Sequence, residues 1–124
     1  MRYSMLIALI AALEGLAGVA LAGAAAHVNA SPLLTTASQF LMVHAAAGLA
    51  LSALVGVEAP HPGGLKAAAL ALQAGVALFA TDLVARVYLG GKLFAYAAPI
   101  GGGLTILSWL GLAVWAALGV RKPK

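Results

Sequence analysis

Four apolar runs, each long enough to cross a lipid bilayer, are the feature that most limits how this chain can fold. They extend from about residue 4 to 26, 37 to 57, 65 to 89 and 98 to 120, and short breaks rich in glycine, proline and polar residues separate them. A hydrocarbon layer about 30 Å thick needs about 20 helical residues at about 1.5 Å per residue. Each run therefore predicts one transmembrane helix.

The composition agrees with a chain whose main solvent is lipid. Of the 124 residues, 64% are hydrophobic and only 8% are charged, whereas about 25% of the residues in a soluble domain are charged. The few basic residues do not cluster on a soluble face, which excludes nucleic-acid binding. The chain has no cysteine, so disulfides, thiol nucleophiles and cysteine-ligated metals are excluded.

The short breaks make neighbouring helices antiparallel. We therefore predict an all-α, four-transmembrane-helix bundle that forms a single membrane domain over residues 1–124, with both termini on one side. Five basic residues fall on that side: Arg2, Lys66, Arg121, Lys122 and Lys124. The other side has Lys92, with Arg86 just inside the span. The excess of positive charge toward the cytoplasm predicts that both termini are cytoplasmic.

The first apolar run has a second interpretation, as a secretory signal peptide. It follows the basic residue Arg2, and Val28-Asn29-Ala30 before Ser31 is typical of a cleavage site. However, the run is longer than the usual apolar region of about 7–15 residues in a signal peptide. We therefore interpret it as a membrane helix.

Three sequence elements carry a resemblance to a known family. They are residues 21–27 (LAGAAAH), 36–45 (TASQFLMVHA) and 99–102 (PIGG). Their order and spacing resemble the bacterial inner-membrane family catalogued as domain of unknown function 423, to which transmembrane protein 256 is related. The resemblance implies a four-helix fold and an inner-membrane location, and it supplies no reaction and no catalytic residue.

The chain departs from the pattern of that family in its third and fourth helices. Where the family has Phe-Ser-Gly-Ser-Leu-Tyr, residues 79–84 read FATDLV, and Ser108-Trp109 replaces a Gly-Trp pair. Glu14 also occupies a position where a small or apolar residue is expected. These differences indicate a divergent member, one whose polar residues can serve a specialised partner.

Several polar residues fall in the half of the bundle opposite the termini, and they are the candidate ligand or partner contacts: His27, Gln39, His44, Asp82 and Arg86. Charged residues in lipid usually pair, face the bundle interior or serve a function. Asp82 and Arg86, spaced i,i+4, can instead neutralise each other while Arg86 reaches the headgroups. His27 can cap its helix. We expect a buried hydrogen bond for His44 rather than haem ligation with His27, because the two histidines differ in depth.

Glu14 lies near the bilayer midplane, about 15 Å into the first helix. An unpaired carboxylate at that depth takes up a proton. Gln73 is the nearest polar residue in depth, so we predict a neutral Glu14 hydrogen-bonded to Gln73 or to a backbone carbonyl. A proton relay toward the outer polar residues and a contact with a neighbouring subunit are the alternatives.

Pro99, Gly101 and Gly102 are predicted to form the turn that starts the fourth helix. Proline suits a first helical turn, and glycine permits close backbone approach. Free backbone N–H groups there could also receive an anion, but the Lys-Ser/Thr of a phosphate-binding loop is absent. The interpretation we favour is a tight turn packed against the third helix.

Two functions fit these features, and neither is enzymatic, because the sequence has no nucleophile–base pair and no metal-ligand spacing. The first is a membrane scaffold or accessory subunit that contacts other membrane subunits or itself, since small residues allow helices to pack closely in lipid. The second is a binding or transport module for a lipid, quinone or small solute at the outer polar residues. We expect no cofactor or metal for either.

Overall fold

The computed structural model describes residues 2–121, and within that range the chain forms four long α-helices. Helix α1 is Arg2–His27, α2 is Pro32–Gly56, α3 is Pro62–Tyr88 and α4 is Ala97–Arg121. All four are long and apolar enough to cross a membrane. The predicted four-span, all-α architecture is confirmed. Lys122 and Lys124, which entered the prediction of orientation, lie outside the described residues.

The second helix begins five residues earlier than the sequence predicted, at Pro32 rather than near residue 37. The Oγ of Ser31 accepts a hydrogen bond of 3.2 Å from the backbone N–H of Leu33 and so caps the helix. Pro32 then fits the first turn, where its missing N–H costs nothing. As a result, every residue of α2 lies deeper in the bundle than the sequence suggested.

The helices run antiparallel. We call the end with the α1–α2 and α3–α4 loops the distal end, and the end with the α2–α3 loop the proximal end. Helix α1 packs along α2 and α3 packs along α4, while α2 and α3 join the two pairs. Helix α1 touches α3 over a shorter stretch, and within residues 2–121 α4 has no close backbone contact with α1 or α2.

Two apolar clusters form the core, one toward each end. The proximal cluster consists of Ile7, Leu51, Leu65, Ala69, Leu72 and Leu112. The distal cluster consists of Ala37, Leu41, Val76, Ala80 and Leu83. Many other large apolar side chains are exposed on the outside of the bundle. Lipid covers that surface in a membrane, so its exposure has no cost there.

The α3–α4 contact depends on glycine. A Cβ atom added to Gly101 would lie 2.6 Å from the backbone nitrogen of Phe79, and one added to Gly75 would lie 2.9 Å from the carbonyl oxygen of Gly101. The two backbones are therefore in direct contact. Pro99 lies in the first turn of α4, and Gly102 faces the ring of Phe79, at 3.6 Å for an added Cβ. This stretch thus packs α4 against α3.

We predict that Gly101→Ala destabilises the bundle by about 1–3 kcal/mol, the usual cost of overpacking, because backbone atoms of α3 must move to admit the methyl group. Gly103→Ala is the matched control, since an added Cβ there meets nothing within 4 Å. It should be neutral or stabilising, because alanine favours a helix. Unfolding in detergent micelles measures the free energy of unfolding of both variants. Equal stability of the two would contradict the packing role of Gly101.

Candidate functional site

The three buried ionisable side chains of the helices, with their partners, form three separate groups. The central pair consists of Glu14 and Gln73. The aromatic chain consists of Phe79, Phe40, His44 and Trp109, and the distal clamp consists of Asp82, Arg86 and the backbone of Leu93. Each group joins different parts of the fold.

The central pair joins α1 to α3 across α2. With its nitrogen toward α1, the side-chain amide of Gln73 donates to Oε2 of Glu14 at 3.2 Å and also contacts Oε1. Glu14 is 6% exposed and Gln73 is 1% exposed. Gly48 of α2 makes room for them, because a Cβ there would overlap the Gln73 amide and lie 2.7 Å from Cβ of Ala11. The structure thus brings together the two residues that the sequence paired by depth.

The aromatic chain links α3, α2 and α4 through ring contacts. The ring centroids of Phe79 and Phe40 lie 4.6 Å apart, those of Phe40 and His44 4.5 Å apart, and those of His44 and Trp109 5.8 Å apart. Trp109 Nε1 donates to His44 Nε2 at 3.1 Å. This contact explains a tryptophan near mid-span, far from the membrane surfaces where tryptophan is usually enriched.

The two hydrogen bonds of His44 define its tautomer. The indole N–H of Trp109 can only donate, so Nε2 of His44 must accept. Nδ1 lies 2.7 Å from the carbonyl oxygen of Phe40, which can only accept, so Nδ1 carries the proton. His44 is therefore the neutral Nδ1–H form. Its free electron pair is engaged by Trp109, which leaves none for a metal in this arrangement.

The distal clamp fixes the α3–α4 loop to α3. Asp82 is fully buried, and its Oδ2 accepts from Nε and Nη2 of Arg86 at 2.9 and 2.8 Å. Its Oδ1 accepts from the backbone N–H of Leu93 at 2.8 Å. The side chain of Arg86 remains 30% exposed near the distal end. The i,i+4 pair expected from the sequence is present, and it also holds a loop.

The five candidate contact residues do not meet in one cluster. His27 is exposed at the end of α1, and Gln39 is exposed on α2. His44 lies about 18 Å from the distal end of α2, and Asp82 about 9 Å from that of α3. Counted from the helix start predicted near residue 37, His44 would lie only about 10 Å deep, and this expectation is wrong because α2 begins at Pro32. Whether any of the five contacts a ligand or a partner stays a prediction.

An apolar groove opens sideways between α1 and α3, and we call it the lateral groove. Its volume is about 520 Å³. It is lined by Ile10, Leu13, Glu14, Ala17, Ala20, Leu21, Leu41, Ala77, Ala80, Thr81 and Val84. None of the five candidate residues lines it. No sequence signal predicted the groove, because it depends on which helices are neighbours. Within residues 2–121 there is no group of three histidine or acidic side chains that could hold a metal ion.

We predict that Gln73→Leu destabilises the protein by about 1–3 kcal/mol, because it leaves the buried Glu14 carboxyl group without its partner. In a Glu14→Leu background the same change should cost clearly less. The double-mutant cycle, measured by unfolding in micelles, isolates the interaction between the two side chains. If Gln73→Leu costs the same in both backgrounds, the central pair contributes nothing to stability.

We predict that the ¹⁵N spectrum of His44 shows a protonated Nδ1 and an unprotonated Nε2 in micelles. Trp109→Phe should shift the Nε2 signal, because it removes the donor and keeps an aromatic ring. Trp115→Phe is the control: Trp115 Nε1 donates to the carbonyl oxygen of Pro60 at 2.7 Å, far from His44 in the chain. A protonated Nε2 in the wild type would contradict the assignment.

Comparison with known proteins identifies a family. The sequence model of a family described as "Protein of unknown function (DUF423)" matches residues 16–102. No curated protein and no solved structure matches the chain significantly. The matched region extends from α1 to the start of α4 and covers more than half of the chain, in agreement with the resemblance that the sequence elements carry. This small four-span membrane protein belongs to the DUF423 family.

Proposed function

We propose that this protein is a structural accessory subunit, a small scaffold of the bacterial inner membrane with both termini cytoplasmic. The observation that carries the proposal is that Glu14, His44 and Asp82, the polar groups most costly to place in lipid, each have a partner within the chain. The contact of Glu14 joins α1 to α3, that of His44 joins α2 to α4, and the hydrogen bond from Leu93 to Asp82 joins the α3–α4 loop to α3. The polar residues therefore support a rigid bundle.

The internal pairing supports a scaffold over a transporter or an enzyme. A transport path or a catalytic centre needs polar groups that are free to meet a substrate. Here the carboxyl group of Glu14 contacts Gln73, both oxygens of Asp82 accept hydrogen bonds, and both nitrogens of His44 are engaged. To offer these groups to a substrate, the bundle would have to break the contacts that hold it together.

The alternative function, a site for a lipid, quinone or small solute among the outer polar residues, needs those side chains to line one cavity. Asp82 and His44 instead belong to separate contact groups, and neither lines the lateral groove. A smaller groove of about 270 Å³ between α1 and α2 includes Gln39 alone among the five. This geometry favours the scaffold.

The outer face of α4 is the surface we propose for a partner subunit. Among the described residues, the backbone of this helix has close contacts with α3 alone. Its exposed residues form an apolar stripe that runs most of its length: Ile100, Ile106, Leu107, Leu110, Val114 and Leu118. Helices associate in lipid by close side-chain packing, so an apolar face with few packing partners in its own chain suits a helix of another subunit.

A photo-crosslinking residue placed at Leu107 tests this proposal in native membranes. Leu16 on α1 is the matched control position, since the two side chains are 64% and 69% exposed. We expect one discrete protein adduct from position 107 and none from position 16. An adduct from position 16 alone would move the contact to α1 and refute the α4 face. Equal adducts from both would indicate random collision, and no adduct from either would overturn the scaffold proposal.

A further inference from the structure

We propose that the lateral groove holds one acyl chain of a phospholipid whose headgroup lies at the distal membrane surface. The site is distinct from the α4 face, so it does not depend on the proposed partner. Four features of the described residues carry the proposal: the depth of the groove, its size, its lining and the residues above its open end.

The groove lies mainly in the distal half of the bundle. Its α1 residues begin about 9 Å below the distal end of the helix, at Leu21, and extend to about 25 Å, at Ile10. On α3, Val84 lies about 6 Å and Ala77 about 16 Å below the distal end. Half of a hydrocarbon core about 30 Å thick is about 15 Å, so the groove spans the zone of the acyl chains of the distal leaflet and, on α1, extends just past the midplane to Leu13 and Ile10.

The groove is large enough for one lipid acyl chain and too small for a helix. Its volume of about 520 Å³ is within the usual range of about 300–1,000 Å³ for small-molecule sites. A helical segment about 10 Å in diameter and about 17 Å long would fill roughly 1,300 Å³. The groove is therefore too small to enclose a helix of a partner, whereas an acyl chain can lie along it.

The lining of the groove explains why it exists. Four alanines on its two walls are too small to close the space between α1 and α3: Ala17 and Ala20 on α1, and Ala77 and Ala80 on α3. Leu41 of α2 lies behind them in the lining, and the buried Glu14 lies toward the midplane. An acyl chain there would bury apolar surface and cover the central pair, which improves its hydrogen bond by lowering the local polarity.

The open end of the groove leads to residues that can contact a headgroup. The lining positions recur every three or four residues along each helix, and the same spacing continues to His27 on α1 and Tyr88 on α3. Both are exposed at the distal end. Arg86 and Lys92 lie near that end with a single carboxylate, Asp82, so the charge there is positive at neutral pH. This balance favours an anionic phosphate headgroup over a zwitterionic one.

Native mass spectrometry of the full chain in mild detergent tests the site, with phosphatidylglycerol and phosphatidylcholine as the two probes. The groove variant is Ala77→Phe, whose ring fills the groove. The matched control is Ala74→Phe, since Ala74 is also an exposed alanine of α3 and is not among the lining residues. Circular dichroism confirms that both variants are folded, because neither side chain is in the core.

We expect the wild type and Ala74→Phe to retain one lipid per chain, with phosphatidylglycerol retained more than phosphatidylcholine. Ala77→Phe should reduce retention at least about tenfold, the effect of losing roughly two buried methylene groups. Equal retention by the two folded variants, or no retention by the wild type, would overturn the groove as the site. Equal retention of the two lipids would overturn the headgroup contact. An adduct with the mass of a peptide or an isoprenoid would overturn the choice of occupant.

Discussion

Hydrocarbon cannot form hydrogen bonds, and the rest of this structure depends on that constraint. Backbone groups meet it by forming helices, and side chains can meet it only by finding partners inside the bundle. Glu14 contacts Gln73, His44 contacts Trp109 and Phe40, and Asp82 contacts Arg86 and Leu93. An unpaired charged group at the centre of a bilayer costs about 2.5–3.5 kcal/mol on insertion scales. Pairing is therefore the condition under which these residues can be present at all.

The same contacts select which helices are neighbours. Apolar side chains are almost as well solvated by lipid as by one another, so their burial discriminates weakly between arrangements. Polar contacts are specific, because each donor needs one acceptor at one depth. The central pair joins α1 to α3, and the bond between Trp109 and His44 joins α4 to α2, although α4 has no close backbone contact with α2 within the described residues. The close glycine contact at Gly75 and Gly101 then sets the distance between α3 and α4.

The sequence predicted features that depend on position along one helix and missed those that depend on pairing between helices. Depth could be counted from a break, so the contact of Glu14 with Gln73 was foreseeable. The predicted depth of His44 was wrong because a proline in a sequence suggests the end of a helix. Here Pro32 instead starts α2, with Ser31 as its N-cap. Nothing in one sequence pairs Trp109 with His44, although a tryptophan at mid-span was a signal that it had an internal role. No sequence pattern predicts the hydrogen bond from Leu93 to Asp82, because its donor is a backbone amide that every residue except proline has.

The lateral groove follows from where these contacts are placed. The central pair holds α1 against α3 near mid-depth, and Ile7 and Leu72 are fully buried in the proximal cluster. On its distal side small residues line both walls, Ala17 and Ala20 on α1 and Ala77 and Ala80 on α3. Two helices fixed at one depth and separated by small side chains beyond it must leave a space. In a membrane that space does not remain empty, so the sequence that makes a rigid bundle also makes a place for a lipid chain.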